Sequence, residues 1–164
     1  MRSKGFLKSL TFAFIITTLL IGFMIPTVLG TKTSDTDYTY TALPHSASAH
    51  LKSYVDGYSS SPDTHFYRVY HKIEAWAAST PLCTVWVTSL TINCYHCEVK
   101  FYTSMTDNIW SAYYSKDRDD DDLNLRCWVG TDGYGSYHYV VWPFYHYDVD
   151  LEVQYSDCKV YPPG

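Results

Sequence analysis

The chain has 164 residues and a formal net charge of −5 at pH 7, with 17 tyrosines and five tryptophans. This length fits a single folded domain once an N-terminal segment is set aside. The acidic balance argues against nucleic acid and against anionic membrane surfaces as partners, because both repel a negatively charged protein.

Residues 1–30 have the order of a secretory signal peptide. Basic residues precede an apolar run over residues 10–25, and Val28 and Gly30 supply small side chains at the −3 and −1 positions before Thr31. The alternative is an uncleaved membrane anchor, although the run is slightly shorter than the roughly 20 residues of a span. We expect an exported protein, either secreted or held at the outer face of the cell membrane. Without this segment nine basic residues face seventeen acidic ones, so the net charge becomes −8.

The next segment, residues 31–64, is rich in serine and threonine, and its hydrophobic residues are scattered. Such a composition is typical of an extended linker or stalk. An ordered edge segment over residues 51–58 is the alternative. We therefore place the folded domain at residues 65–164.

From residue 65 onward, hydrophobic side chains recur at every second position, which is the period of a β-strand. Two glycines in the segment Thr131–Gly135 predict a turn. The turn signals separate short strands, which indicates an all-β domain: an antiparallel β-sandwich or small jelly roll of about seven or eight strands. The predicted strands cover residues 67–76, 84–93, 98–103, 109–115, 123–129, 136–142 and 149–155.

Four segments of the C-terminal half occur in a recognisable order, at residues 97–102, 122–126, 135–141 and 147–153. This order resembles the bacterial pre-peptidase C-terminal domain family, small β-sandwiches in which a Gly-x-Tyr-x-x-x-Val strand precedes a closing Tyr-x-Leu-x-Val strand. The resemblance covers residues 84–155. The chain departs from the family in its five cysteines and in having no enzyme attached. The resemblance implies a non-catalytic accessory or binding sandwich.

The cysteines are expected to form disulfides, because export places them in an oxidising compartment. Five is an odd number, so one thiol is left over or pairs with another chain. Fifteen arrangements of two bridges are open, and we favour Cys83 with Cys94 or Cys97, and Cys127 with Cys158. The spacing of Cys94 and Cys97 also fits half a zinc site, which export disfavours. The five positions are Cys83, Cys94, Cys97, Cys127 and Cys158.

An acidic run occupies residues 117–122, with five carboxylates in six residues. A hard cation would relieve their mutual repulsion, so Asp117, Asp119 and Asp121 are candidate ligands for Ca²⁺. The spacing is not that of an EF-hand. The alternative is a solvated acidic loop between two strands.

Aromatic residues crowd the segment that follows the glycine-rich turn. One face of a strand cannot bury all of them, so we expect an exposed aromatic patch that stacks on a sugar or packs on a protein partner. The candidate ligand-binding residues are Tyr134, Tyr137, Tyr139, Trp142 and Tyr145.

These features together predict an exported, disulfide-stabilised, non-catalytic domain that binds carbohydrate or an extracellular protein and requires no cofactor. The alternative is a structural or assembly protein of a cell envelope or surface layer, joined through a strand edge or the unpaired cysteine. A third hypothesis is a small hydrolase that uses His146 and Asp148. The sequence offers that hypothesis no recognisable catalytic motif.

Overall fold

The structure, a computed structural model, describes residues 30–60, 64–143 and 148–163. The predicted signal segment therefore lies outside the described residues, except for Gly30, with which the first strand begins. Within the described residues, no helix has the length and apolar character needed to cross a membrane. The strands are β1 (Gly30–Ala42), β2 (Ser48–Ser60), β3 (Phe66–Ala78), β4 (Cys83–His96), β5 (Val99–Ser111), β6 (Tyr113–Asp120), β7 (Val129–Val141) and β8 (Asp148–Val160).

The strands form two four-stranded antiparallel sheets. The first sheet has the order β1-β2-β3-β6, and the second has the order β5-β4-β7-β8. Alternate side chains of each sheet are buried against the other sheet, as in β3, where every second residue from Val69 to Ala75 is inaccessible. The predicted all-β antiparallel class is confirmed, and the two sheets pack as a β-sandwich.

The buried apolar side chains fall into two clusters. The first core consists of Ala47, Ala49, Leu51, Ile73, Ala75, Cys83, Val85, Val87, Leu90, Ile92, Cys94 and Tyr137. The second core consists of Val55, Phe66, Val69, Val129, Cys158 and Val160. Strand β3 contributes to both, with His71 between Val69 and Ile73 on its inner side.

The structure differs from the predicted linker over residues 31–64, since most of this segment forms β1 and β2. Threonine is β-branched and favours strands, so a composition rich in threonine does not imply an extended stalk. In β2 the inner positions hold Leu51, Ser53 and Val55, all fully buried. Gly57 completes the packing, because a Cβ there would lie 2.3 Å from the Phe66 ring. The folded domain therefore begins about 35 residues earlier than predicted.

The predicted turn at residues 131–135 is also wrong, because these residues lie inside β7. Gly133 serves close packing there: a Cβ would come within 2.1 Å of the Ile73 side chain and 2.2 Å of the Thr91 carbonyl oxygen. The predicted strand at residues 123–129 is replaced by an irregular segment up to Trp128, tied to β3 by an isolated bridge between Leu125 and Phe66.

One disulfide joins Cys97 to Cys127, with a Cα–Cα distance of 5.2 Å. It links the tight turn after β4 to the irregular segment before β7. The favoured pairs are therefore wrong, and Cys83, Cys94 and Cys158 are free buried thiols. Cys94 and Cys158 both face inward but stand on either side of Thr131 of β7, so an intervening strand separates them.

The two sides of the sandwich differ. At one side the carboxylates of Asp35 and Asp37 in β1 accept hydrogen bonds from the backbone N–H groups of Lys159 and Asp157 in β8, at 2.9 and 3.0 Å. These bonds close the side where β1 and β8 end their sheets. Strand β5 ends the second sheet at the opposite side.

Candidate functional site

An aromatic row crosses the outer face of the first sheet. In the strand register Tyr40 lies opposite His50, His50 opposite Trp76, and Trp76 opposite Tyr113. Tyr38 lies two residues before Tyr40 on the same face of β1. Facing side chains on neighbouring strands are close enough to stack. We call these five residues the aromatic row.

Four rings of the row, those of Tyr38, Tyr40, His50 and Trp76, contact one another directly. His50 and Trp76 are stacked with centroids 4.9 Å apart and planes inclined by 2°. Tyr38 stacks 5.7 Å from Trp76 and 5.9 Å from His50, and Tyr40 lies 6.2 Å from Tyr38. Tyr40 is 62% exposed and Tyr38 48%. The row is therefore an ordered aromatic surface that remains accessible to solvent at its β1 end.

Hydrogen bonds hold the central imidazole of the row in place. His50 Nδ1 lies 2.5 Å from the Tyr38 hydroxyl, and His50 Nε2 lies 2.6 Å from Ser48 Oγ. Burial lowers the pKa of His50, so the ring is neutral at pH 7. At the other end of the row, the Tyr113 hydroxyl donates to Glu74 Oε1 at 2.7 Å. The row thus has a fixed geometry and a polar rim.

Aromatic and charged side chains alternate over the rest of this face. Lys32 Nζ lies 2.7 Å from Asp56 Oδ2 and 5.8 Å from the centroid of the Tyr58 ring, and the Arg68 guanidinium covers the same ring at 5.4 Å. Burial alone would raise the pKa of Asp56, but hydrogen bonds from Lys32 and Ser34 outweigh it and lower the pKa. The face carries cations and anions close together.

The structure does not bring the predicted aromatic residues of β7 together in one exposed patch. Tyr134 is 40% exposed and lies 5.1 Å from the Tyr155 ring, and Trp142 is 48% exposed. Tyr137 is fully buried in the first core and donates a hydrogen bond to the His50 carbonyl, and Tyr139 packs against the same core. The prediction that Tyr137 and Tyr139 form an exposed patch is therefore wrong, because both side chains lie on the inner face of β7. Tyr145 and His146 lie outside the described residues.

The first four residues of the acidic run form the end of β6, and Asp121 and Asp122 follow the strand. Asp119 accepts a hydrogen bond from Arg68 Nε at 2.9 Å, and Asp121 lies 3.2 Å from the same nitrogen. The Arg68 hydrogen bond lowers the pKa of Asp119. Asp117 shares this outer side of the strand, whereas Asp120 faces the interior. An arginine thus balances part of the charge, and Ca²⁺ binding by Asp117, Asp119 and Asp121 stays a prediction.

A second group of polar side chains lies between the two sheets. His71 of β3, His96 of β4 and Asp120 of β6 each offer a nitrogen or oxygen, and these atoms all lie within 4.8 Å of one another. Sequence reasoning missed this interior cluster. The available signal was His71 in an inward position of an alternating strand, because a buried histidine requires a partner.

Burial and neighbouring groups define the chemistry of the interior cluster. His71 is fully buried, and its Nδ1 lies 2.8 Å from Thr131 Oγ1. Burial, with smaller contributions from His96 and Arg118, lowers the pKa of His71 to about 3. Burial also lowers the pKa of His96. Both imidazoles are therefore neutral at pH 7, which is the state that ligates metal ions.

No family model matches the chain, and no curated protein or solved structure matches it significantly. The resemblance to the pre-peptidase C-terminal domain family stays a prediction.

Proposed function

We propose that the protein is an exported, non-catalytic binding module that holds a neutral carbohydrate on the aromatic row. The observation that carries this proposal is the row itself: five aromatic side chains ordered across all four strands of one sheet. The Cys97–Cys127 disulfide is compatible with export, since oxidising compartments retain such bonds. The signal segment predicted from residues 1–30 supports the same location.

The chemistry of the row suits a sugar ring. Tyrosine and tryptophan supply rigid contact area at low entropic cost and pair an apolar ring with a polar group. Next to the row, Lys52 and Glu74 face each other across β2 and β3 and offer charge-assisted hydrogen bonds to hydroxyl groups. The net charge of −8 after residue 30 disfavours acidic glycans. A neutral carbohydrate is therefore the ligand class that fits the surface.

The test is binding of the full chain to an array of neutral and acidic glycans, followed by titration of any hit. We expect Trp76→Ala and Tyr40→Ala each to weaken binding at least about tenfold, which corresponds to about 1.4 kcal/mol. Trp86→Ala is the matched control, because Trp86 lies on the outer face of the other sheet beside Trp110 and His138. Tyr40 is largely exposed, so its variant tests the surface without disturbing the core.

Two results contradict the proposal. One is the absence of binding to every neutral glycan on the array. The other is a hit whose affinity is unchanged in both Trp76→Ala and Tyr40→Ala, since the ligand then sits elsewhere.

The β5 edge favours a second candidate function, assembly with other copies in an envelope or surface layer. Strand β5 is 13 residues long and ends its sheet. It exposes Val99 (62%), Met105 (58%) and Trp110 (55%). A long edge with exposed apolar side chains is a template for pairing with another chain. The free thiols are buried, so the strand edge rather than a cysteine carries this proposal.

Light scattering after size-exclusion chromatography tests the assembly candidate. We expect wild type to form concentration-dependent oligomers that Met105→Lys disperses, because a charge on an edge strand opposes pairing. Lys100→Met, on the same strand, is the matched control and should preserve the oligomers. A strictly monomeric wild type at high concentration rules this candidate out.

A further inference from the structure

Two imidazole nitrogens of the interior cluster point to a ligand. The Nε2 atoms of His71 and His96 are buried, and neither has a hydrogen-bond partner among the described residues. A buried polar atom without a partner is unfavourable, so native proteins nearly always satisfy such atoms. Here both histidines belong to one cluster with the carboxylate of Asp120.

Neighbouring side chains form hydrogen bonds to His71 and Asp120 but leave these residues able to bind a cation. Thr131 Oγ1 can accept a hydrogen bond from the Nδ1–H group of His71, which leaves Nε2 of the neutral ring with its lone pair free. Arg118 bonds both carboxylate oxygens of Asp120, from Nε at 2.9 Å and from its terminal nitrogen at 2.6 Å. Each carboxylate oxygen retains a second lone pair for a cation.

The Phe101 ring lies against both histidines of the cluster. The Phe101 ring stacks on His96 with centroids 3.8 Å apart and lies 5.9 Å from the His71 ring. The Arg118 guanidinium covers the same Phe101 ring at 5.3 Å. Such a surrounding limits solvent access, which strengthens the coordination of an ion once it is bound.

We propose that His71, His96 and Asp120 bind a divalent transition-metal ion of the Zn²⁺ class between the two sheets. Two imidazoles and one carboxylate form a donor set that zinc accepts, whereas Ca²⁺ takes oxygen ligands. Ligand atoms of a tetrahedral zinc ion lie about 3.3 Å apart. Tetrahedral coordination therefore requires the present separations to close by about 1.5 Å at most.

A bound ion joins the two sheets of the sandwich. His71 and Asp120 belong to the first sheet and His96 to the second. His96 also directly precedes Cys97, so the site lies at the end of the sandwich that the disulfide crosses. A bound metal therefore cross-links the two sheets next to the covalent link, and its role is structural.

The first test is titration of the chelator-treated full chain with ZnCl₂ at about pH 7, followed by calorimetry and thermal unfolding. We expect one Zn²⁺ per chain and a higher melting temperature when zinc is bound. CaCl₂ in excess should not displace the zinc, which separates this site from the acidic face of β6. Failure of the wild-type chain to bind zinc at micromolar free concentration overturns the proposal.

Variants assign the site to its residues. His71→Gln and His96→Gln should each weaken zinc binding at least tenfold, because either change removes one of three protein ligands. His45→Gln is the matched control, since His45 is exposed in the short loop between β1 and β2. Unchanged zinc affinity in both interior variants overturns the proposal.

Zinc-edge X-ray absorption on the wild-type chain gives a second readout that does not depend on how the variants fold. The proposal predicts two imidazole nitrogens and at least one oxygen around the ion. A zinc environment dominated by sulfur assigns the metal to the free thiols and contradicts it.

Discussion

The two cores of the sandwich are stabilised by different means. The first core contains twelve buried residues, most of them aliphatic. The second contains six, and it lies at the end of the sandwich that carries the disulfide. Because burial of apolar surface is roughly proportional to stabilisation, the first core needs less support from other bonds. The comparison indicates that covalent and polar contacts supply a larger share of the stability where the apolar core is small.

The largest expected effect on stability comes from removing the largest side chain of the second core, that of Phe66. Phe66 is fully buried, and its ring fills the space above Gly57. Phe66→Ala should lower the free energy of unfolding by about 3–5 kcal/mol, measured in urea. Ile73→Val in the first core should cost only about 1 kcal/mol. A loss in Phe66→Ala no larger than that in Ile73→Val would show that the second core does not depend on this ring.

The second effect concerns the disulfide. Cys97 and Cys127 are 30 residues apart, and chain-entropy arguments assign such a loop about 3.6 kcal/mol of stabilisation. Reduction should speed hydrogen exchange of buried amides near Val69 and Val129 more than of those near Leu90 and Ile92. The double variant Cys97→Ser/Cys127→Ser should reproduce the exchange pattern of the reduced wild type. A uniform increase over both cores contradicts the comparison.

A smaller, pH-dependent effect is expected from the ion pair above the second core. Asp56 adjoins Val55, and its pKa is lowered from the ordinary value of 3.8 despite its burial. A lowered carboxyl pKa stabilises the fold above the unfolded-state value, and this contribution disappears as the pH falls through the folded-state pKa. Asp56→Asn should therefore cost about 1–2 kcal/mol at about pH 7 and clearly less at about pH 3.

Asp107→Asn is the control for this experiment, because Asp107 is exposed on β5. Its cost should be small at both pH values. A loss in Asp56→Asn that is the same at both pH values would assign the effect to packing rather than to charge.

The smallest effect is kinetic and leaves stability unchanged. Burial raises the pKa of the Cys94 and Cys158 thiols to about 12 each. Both should react slowly with iodoacetamide in the native protein, because the thiolate is the reactive form. In mild urea Cys158 of the second core should become labelled before Cys94 of the first, as mass spectrometry of the digested protein can show. The reverse order places the weaker region in the first core.

The period-two pattern in the sequence predicted the fold class but not where the domain begins. Alternation in β3 and β4 is clear because valine and isoleucine occupy the inner positions. In β1 the outward Tyr38 and Tyr40 alternate with threonines, and in β2 Ser53 replaces an apolar inner residue. A serine at an inner position breaks the apolar pattern in the sequence. Ser53 is nevertheless fully buried, because its hydroxyl group forms a hydrogen bond with Ser156 Oγ at 2.7 Å.

The site was less accessible to sequence reasoning than the fold. The expectation of an aromatic surface remains part of the proposal, but its location moved from β7 to the first sheet, because pairing of four separate strands creates the row. Likewise, His71, His96 and Asp120 are distant in the chain, and only the sandwich brings them together. The predicted disulfide pairs were wrong for the same reason, because spacing along the sequence does not give the distances between strands.

The Cys97–Cys127 bond makes a closed covalent ring out of the chain between these residues, and β5 and β6 lie inside it. A protease that cuts once within this ring therefore releases no fragment. The exposed β5 edge is the natural place for such a cut, and the nicked chain would migrate as an intact band until a reductant separates the pieces. A protein built this way keeps its parts together after damage that would divide an unbridged chain.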